Sequence, residues 1–184
     1  NRLRGTATYR LEIATPGGAA VGGTSGMRID ATGALERIRG PIDTLVCVGG
    51  FGVRAARRDL SVVHHVRRLA GRSRRVTSVC SGALLLAEAG LLDGRRATTH
   101  WASCDHLAER YPSVQVEPDA LYVHDGRTWT SAGVTAGIDL ALALVADDHA
   151  SSGGDELVRS IARWLVVFSH RPGGQAQFSE TVRL

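Results

Sequence analysis

The chain of 184 residues contains no lysine; all 22 of its basic residues are arginine. A lysine-free chain rich in Ala, Gly, Val and Arg reads as the codon bias of a GC-rich genome more than as a selected function. Cysteine is scarce as well. Three cysteines make an odd number in a chain long enough to bury its own core, which argues against a disulfide framework and for a reducing, cytoplasmic setting. No apolar run approaches the roughly 18–20 residues that cross a bilayer, because the best candidates, 83–87 and 140–146, are bounded by Glu88, Asp139 and Asp147. A membrane partner is not expected. The first residues lack the apolar stretch and small-residue cleavage site of a secretory signal. The seven histidines and three cysteines show no CxxC, HxxxH or HExxH spacing, so no metal is expected. Gly49-Gly50-Phe51-Gly52 lacks the Gly-Lys-Ser or third glycine of a phosphate or dinucleotide loop. No cofactor is implied.

What is present is ordinary globular composition, 43% hydrophobic and 22% charged, in a length that allows one full domain and little more. The net charge of +4 hides an asymmetry. Arg54, Arg57, Arg58, Arg67, Arg68, Arg72, Arg74 and Arg75 fall in one stretch whose single acid is Asp59. Such a basic face can sit near phosphates or be a solvated helix surface, and the second reading needs nothing further.

Along the chain, short β-branched runs alternate with helical stretches, the pattern of an α/β domain with a largely parallel sheet. Residues 9–14 read as a strand closed by Pro16-Gly17-Gly18. Residues 44–48 form a nearly continuous apolar run, as in a buried parallel strand, ending in Gly49-Gly50. In 59–70, Leu60, Val63, Val66 and Leu69 or Ala70 recur at helical spacing. Residues 75–79 form the next strand, passing directly through Cys80-Ser81-Gly82 into a helix over 83–91 that Asp93-Gly94 stops. Residues 97–100 read as a short strand and 102–111 as a helix. A hairpin over 121–131 turns at Asp125-Gly126, suited to a type I′ turn. Thr135 caps a helix through Val145 that is apolar on most sides and should be well buried. A final amphipathic helix carries Leu157, Ile161, Leu165 and Phe168 on one face. Residues 171–184 have too few apolar side chains for a core element and read as a linker.

A cysteine where a strand passes straight into a helix, followed by small residues, has the pattern of a nucleophile elbow. The helix start favours thiolate and offers an oxyanion site through the Ser81 N–H, with Gly49 or Gly50 as a second donor. Equally, Cys80 can be a small residue filling a tight turn. His100, ending the following strand, is the candidate base, or else a polar strand end bonded to a loop. Cys47 reads as packing, Cys104 as structural, and the adjacent His64 and His65 as surface residues.

Residues 79–101, from Val79-Cys80-Ser81-Gly82-Ala83-Leu84 to Ala97-Thr98-Thr99-His100-Trp101, resemble the DJ-1/PfpI superfamily, also described as class I glutamine-amidotransferase-like. Ser131-Ala132-Gly133-Val134-Thr135-Ala136-Gly137-Ile138-Asp139-Leu140 supports it. His170-Arg171-Pro172-Gly173-Gly174-Gln175-Ala176-Gln177-Phe178 is similar to the end of the sensor domain in AraC-type regulators of the GlxA kind. The resemblance implies a flavodoxin-like three-layer α/β sandwich with a mostly parallel sheet, whose first strand and an acidic residue near the elbow would precede Asn1. It divides the chain into a sensor and dimerisation domain, 1–170, and a linker, 171–184, toward a C-terminal helix-turn-helix domain through which DNA is bound.

Two functions follow from the resemblance. The first is a cytoplasmic homodimeric sensor that binds a small-molecule effector among Gly49, Gly50, Cys80, Ser81, His100 and Trp101, at the carboxyl ends of the strands. The second is a cysteine-dependent enzyme, such as an isonitrile hydratase or amidase-like hydrolase, with Cys80 adding to an electrophilic carbon. Ser81 stands where the protease-like members carry histidine, which counts against peptidase activity.

Overall fold

The computed structural model describes residues 8–23 and 25–175. The chain forms two compact units, Asn1–Pro41 and Ile42–Leu184.

In the first unit, β1 (Ala14–Thr15) pairs parallel with β4 (Gly33–Ala34), and β2 (Val21–Gly22) pairs antiparallel with β3 (Arg28–Ile29). The strand expected over 9–14 is reduced to β1. Among the described residues its ladder partner offers only two residues, so the alternation upstream has nothing to bury against and Leu11 is 87% exposed.

The second unit runs β5 (Ile42–Val48), α1 (Val53–Ala56), α2 (Leu60–Ala70), β6 (Ser73–Val79), α3 (Gly82–Glu88), β7 (Arg96–Ala97), α4 (Cys104–Arg110), β8 (Gln115–Val116), β9 (Tyr122–Asp125), β10 (Thr128–Ser131), α5 (Ala136–Asp148) and α6 (Gly154–Leu165). Its main sheet has the order β5-β6-β10-β9, parallel except for the final pair. β7 and β8 form a separate parallel pair. α2 and α3 pack on β5 and β6, while α5 packs on β9 and β10 and against α6. This is the flavodoxin-like α/β sandwich implied by the resemblance. Among the described residues no helix is long and apolar enough to cross a membrane.

Local chemistry accounts for most boundaries. Asp59 caps α2 by accepting the N–H groups of Ser61 and Val62. Val62, Val63, Val66, Leu69 and Ala70 form the buried stripe. Leu60, expected on that stripe, is exposed, because at 3.6 residues per turn it falls about 120° from the stripe's centre. α3 ends before Asp93-Gly94, at Gly90: with φ 68, Gly90 donates to the Ala87 carbonyl and Leu91 to that of Leu86, a Schellman closure.

Other expectations shift by a residue or two. Of the strand expected over 97–100 only Ala97 is in a ladder, which it enters with Arg96, leaving Thr98 and Thr99 to other partners. In the hairpin Asp125 pairs with Thr128, so the central residues are Gly126 and Arg127. Only Gly126 has positive φ, the type II′ pattern instead of I′. α5 buries only Ala136, Leu140 and Leu142, although it is apolar on most sides, and the Thr135 side chain does not cap it. On α6 the buried core residues are Val158 and Ala162, which join Leu142, and of the expected face Ile161 packs against them partly buried. The left-handed Val166 ends that helix, so Phe168 lies beyond it, exposed. β5 is likewise less buried than its apolar run suggested, with Val46 and Val48 exposed.

The arginine-rich stretch is not one solvated helix face. Arg74 and Arg75 lie on β6, and Arg75 is only 3% exposed. Its guanidinium meets both Asp148 oxygens at 2.9 and 2.6 Å, Asp147 at 3.2 Å and the Thr44 hydroxyl at 2.8 Å. Arg67 donates to the Ala89 carbonyl and Arg57 to the Tyr111 hydroxyl. These arginines tie α5 to β6 and α2 to the loop after α3.

Candidate functional site

Cys80 is the first of the two residues between β6 and α3 and has φ 59, a left-handed conformation costly for a side chain with a Cβ. Its neighbours hold it there. The Cys80 N–H donates to the Ser131 and Ala132 carbonyls at 3.0 and 3.2 Å, and its carbonyl accepts the Thr99 hydroxyl at 2.9 Å. Glycine makes room on both sides: a Cβ on Gly49 would lie 2.7 Å from Cys80 Cβ, and one on Gly82 only 2.1 Å from the Cys47 carbonyl oxygen. The thiol is half-buried.

The surrounding donors differ from expectation. The Gly50 N–H is taken by Ser81 Oγ at 3.1 Å, so it is not a second oxyanion donor. The first turn of α3 spends Ala83 and Leu84 N–H on the Cys80 and Ser81 carbonyls. The other two cysteines are buried. Burial pushes the Cys47 thiol up to about 12, and burial also raises that of Cys104, which lies 3.6 Å from the His100 carbonyl oxygen.

His100 caps a short 3-10 turn, Trp101–Ser103, by accepting the Ala102 N–H at Nδ1 at 3.2 Å. That bond places the proton of the neutral ring on Nε2, leaving no free lone pair for a base. Its ring lies against Gly133 and 5.3 Å from that of Trp101.

The six sequence-predicted residues therefore form two neighbouring groups. Gly49, Gly50, Cys80 and Ser81 meet at the elbow. His100 and Trp101 instead line a cavity of about 170 Å³ with Leu121, Ala132, Gly133, Thr135 and Ala136. Its remaining wall comes from the segment read as a linker: Arg171 and Gln175. Arg171 grips Asp139 through two nitrogens and donates to Thr135 Oγ1 at 3.2 Å. Gln175 is 3% exposed; its N–H donates to the Asp119 carbonyl at 2.8 Å and its Nε2 to the Thr99 carbonyl at 2.9 Å and Thr98 Oγ1 at 3.1 Å. Gly174 fits because a Cβ there would lie 2.1 Å from an Asp119 carboxylate oxygen. A second cavity, about 280 Å³, lies beside α5 and α6 and includes Asp155, Arg159 and His170. Among the described residues no group of three or more His, Cys, Asp or Glu side chains is placed to hold a metal.

A mostly parallel sheet with a left-handed cysteine between strand and helix defines an elbow-type α/β protein. The profile of the DJ-1/PfpI family matches residues 1–147, and the chain belongs to that family. It is 38% identical over 165 residues to the HTH-type transcriptional regulator CdhR of Pseudomonas aeruginosa, covering 89% of this chain and 47% of the relative. It is 42% identical over 123 residues to an isonitrile hydratase of Pseudomonas putida, covering 66% of this chain and 51% of the enzyme. The chain thus spans about half the length of these curated relatives. Among solved structures, a ThiJ/PfpI family protein from Pseudomonas syringae superposes with a TM-score of 0.70 at 34% identity, covering 75% of this chain and 56% of that one. DJ-1beta of Drosophila melanogaster gives 0.72 at 22% identity, over 85% and 82% of the two chains, and shares the fold.

Proposed function

We propose that this chain is the effector-sensing and dimerisation part of an AraC-family transcriptional regulator, which binds a small metabolite beside Cys80 in the cytoplasm and contacts DNA through a separate C-terminal domain. The observation that carries the reading is the pattern of relatives. CdhR and the HTH-type regulator GlxA of Rhizobium meliloti align with 89% and 90% of this chain but only 47% and 49% of their own length. That leaves the remainder of a regulator for the DNA-binding function. At the site, His100 Nδ1 is spent on its own turn instead of on the elbow thiol.

The enzyme reading rests on the isonitrile hydratase relative and on the exposed part of the Cys80 thiol. A thermal-shift screen with small amines, amino acids and amides, run on the wild type and Cys80→Ala, separates the two. A ligand at about 100 times its Kd adds about 2.7 kcal/mol of stability. Stabilisation that survives Cys80→Ala supports a sensor. Turnover of an isonitrile that vanishes in Cys80→Ala would replace that reading with the enzyme. Sedimentation at micromolar concentration tests the dimer, and a monomer there would refute it.

A further inference from the structure

The last helix is apolar over a wider arc than its packing needs. On α6, Val158 and Ala162 are buried with Leu142. Trp164 lies about 140° round the helix from those two residues, and it is 75% exposed. Leu157 and Ile161, half-buried, and Leu165, exposed, fill the arc between. Beyond the helix Val166 and Phe168 are exposed as well. Val166 takes the left-handed end-cap position that glycine usually holds, with φ 55, and leaves a β-branched side chain 91% exposed. Apolar side chains scattered singly over a surface need no explanation, but four large ones within residues 164–168 mark a contact surface. Trp164 is also the exposed one of the three tryptophans, and tryptophan is enriched at the energetic centres of interfaces.

The charges beside this stripe say what covers it. Asp155 and Glu156 stand in the first turn of α6 and Arg163 in its last. Glu156 and Arg163 are both exposed and share one flank, about 80–100° round from Trp164 on the side away from Leu165. A flank acidic at one end and basic at the other is complementary to itself when two copies lie antiparallel. With the crossing near Ser160, Glu156 meets the partner's Arg163 and Trp164 meets the partner's Leu157, and the two-fold axis repeats each pair. A parallel pair would set Glu156 against Glu156 and Arg163 against Arg163, and like charges so placed repel.

Resting on the dimerisation part of the reading above, we propose that the occupant of this face is a second copy of the chain. α6 packs antiparallel on the partner's α6 about a two-fold axis. Trp164 is the apolar anchor, and the reciprocal Glu156 and Arg163 pairs set the direction.

Sedimentation of the whole chain and of three variants tests this. Trp164→Glu weakens the dimer about 30-fold or more. Glu156→Arg and Arg163→Glu each weaken it about tenfold, because each places like charges across the axis. An equimolar mixture of those two variants forms a heterodimer within about threefold of wild-type strength, since every arginine then faces a glutamate. All three positions are exposed, so circular dichroism of the variants matches wild type. Should Trp164→Glu lose helix signal, the mixing result decides alone. A dimer that Trp164→Glu leaves at full strength with its helices intact, or charge variants that stay weak when mixed, overturns the α6 surface and leaves dimerisation standing. A wild-type chain still monomeric at about 100 µM, well above a micromolar Kd, overturns both.

Discussion

The His100 ring lies so close to the Cα of Gly133 that a Cβ there would fall 2.2 Å from its Cδ2. Two segments far apart in sequence, the turn after β7 and the entry to α5, therefore form one wall of the cavity with no space for a methyl group. Gly133→Ala must push the imidazole off its seat, at about 1–3 kcal/mol. Gly82→Ala costs more, because its methyl group meets backbone at 2.1 Å instead of a movable ring. Gly52→Ala, whose Cβ meets nothing within 4 Å, stays within about 0.5 kcal/mol of wild type. Urea denaturation of the three variants checks this order.

At the elbow, strain and thiol can be separated. Both Cys80→Ala and Cys80→Gly remove the sulfur, but only glycine is at ease with φ 59. The glycine variant should be more stable than the alanine variant by about 1 kcal/mol. Equal midpoints in denaturant would mean that the backbone bonds to Ser131, Ala132 and Thr99 do not hold a strained residue.

Alkylation distinguishes the three cysteines. In the native chain at mildly alkaline pH, iodoacetamide modifies Cys80 and spares Cys47, whose buried thiol is pushed up to about 12, and Cys104, which is also buried. Peptide mapping by mass spectrometry shows all three labelled only after unfolding.

Removing Asp148 takes the two shortest ion-pair contacts from the Arg75 guanidinium, leaving Asp147 at 3.2 Å, Thr44 at 2.8 Å and the more distant Asp43 at 3.8 Å. Asp148→Ala costs about 3 kcal/mol, whereas Arg75→Met combined with Asp148→Leu lies within about 1 kcal/mol of wild type. A double variant as unstable as the single one would show that the ion pair itself, more than the stranded charge, sets the cost.

Arg74, bonded to Asp43, holds its carboxyl down to about 2. Because the folded value lies below the unfolded one, the contribution is full above about 3.9 and is lost as pH falls through the depressed value. The carboxylate is 62% exposed, so solvent screening limits it to about 0.5–1 kcal/mol. Denaturation of wild type and Asp43→Asn should differ by that amount at neutral pH and converge at the acid end.

The elbow was legible because its signal is local: a β-branched strand, a cysteine and two small residues, and a helix in unbroken succession. Cys47 as packing was legible for the same reason. The cavity wall was not. Arg171 and Gln175 are polar residues after the last helix, in a stretch with no hydrophobic period, and Gln175 is buried through hydrogen bonds that no pattern of apolar residues announces. Thr98 and Thr99 were misassigned to a strand because β-branched residues favour ladders, whereas here their groups serve Thr130, Cys80 and Gln175. Gly90 outranked Asp93-Gly94 as the stop for α3 because a left-handed glycine with both Schellman bonds closes a helix wherever it first occurs.

The seating of Gln175 also bears on where this fold can be cut. A version ending with α6 would keep the main sheet and every helix of the described residues, yet it would leave the Thr99 carbonyl without its amide donor and remove one wall of the slot beside the elbow. Among the described residues the last buried side chain is a carboxamide ten residues past α6, and a version cut before it would be expected to loosen first around Thr98 and Thr99, far in sequence from the cut.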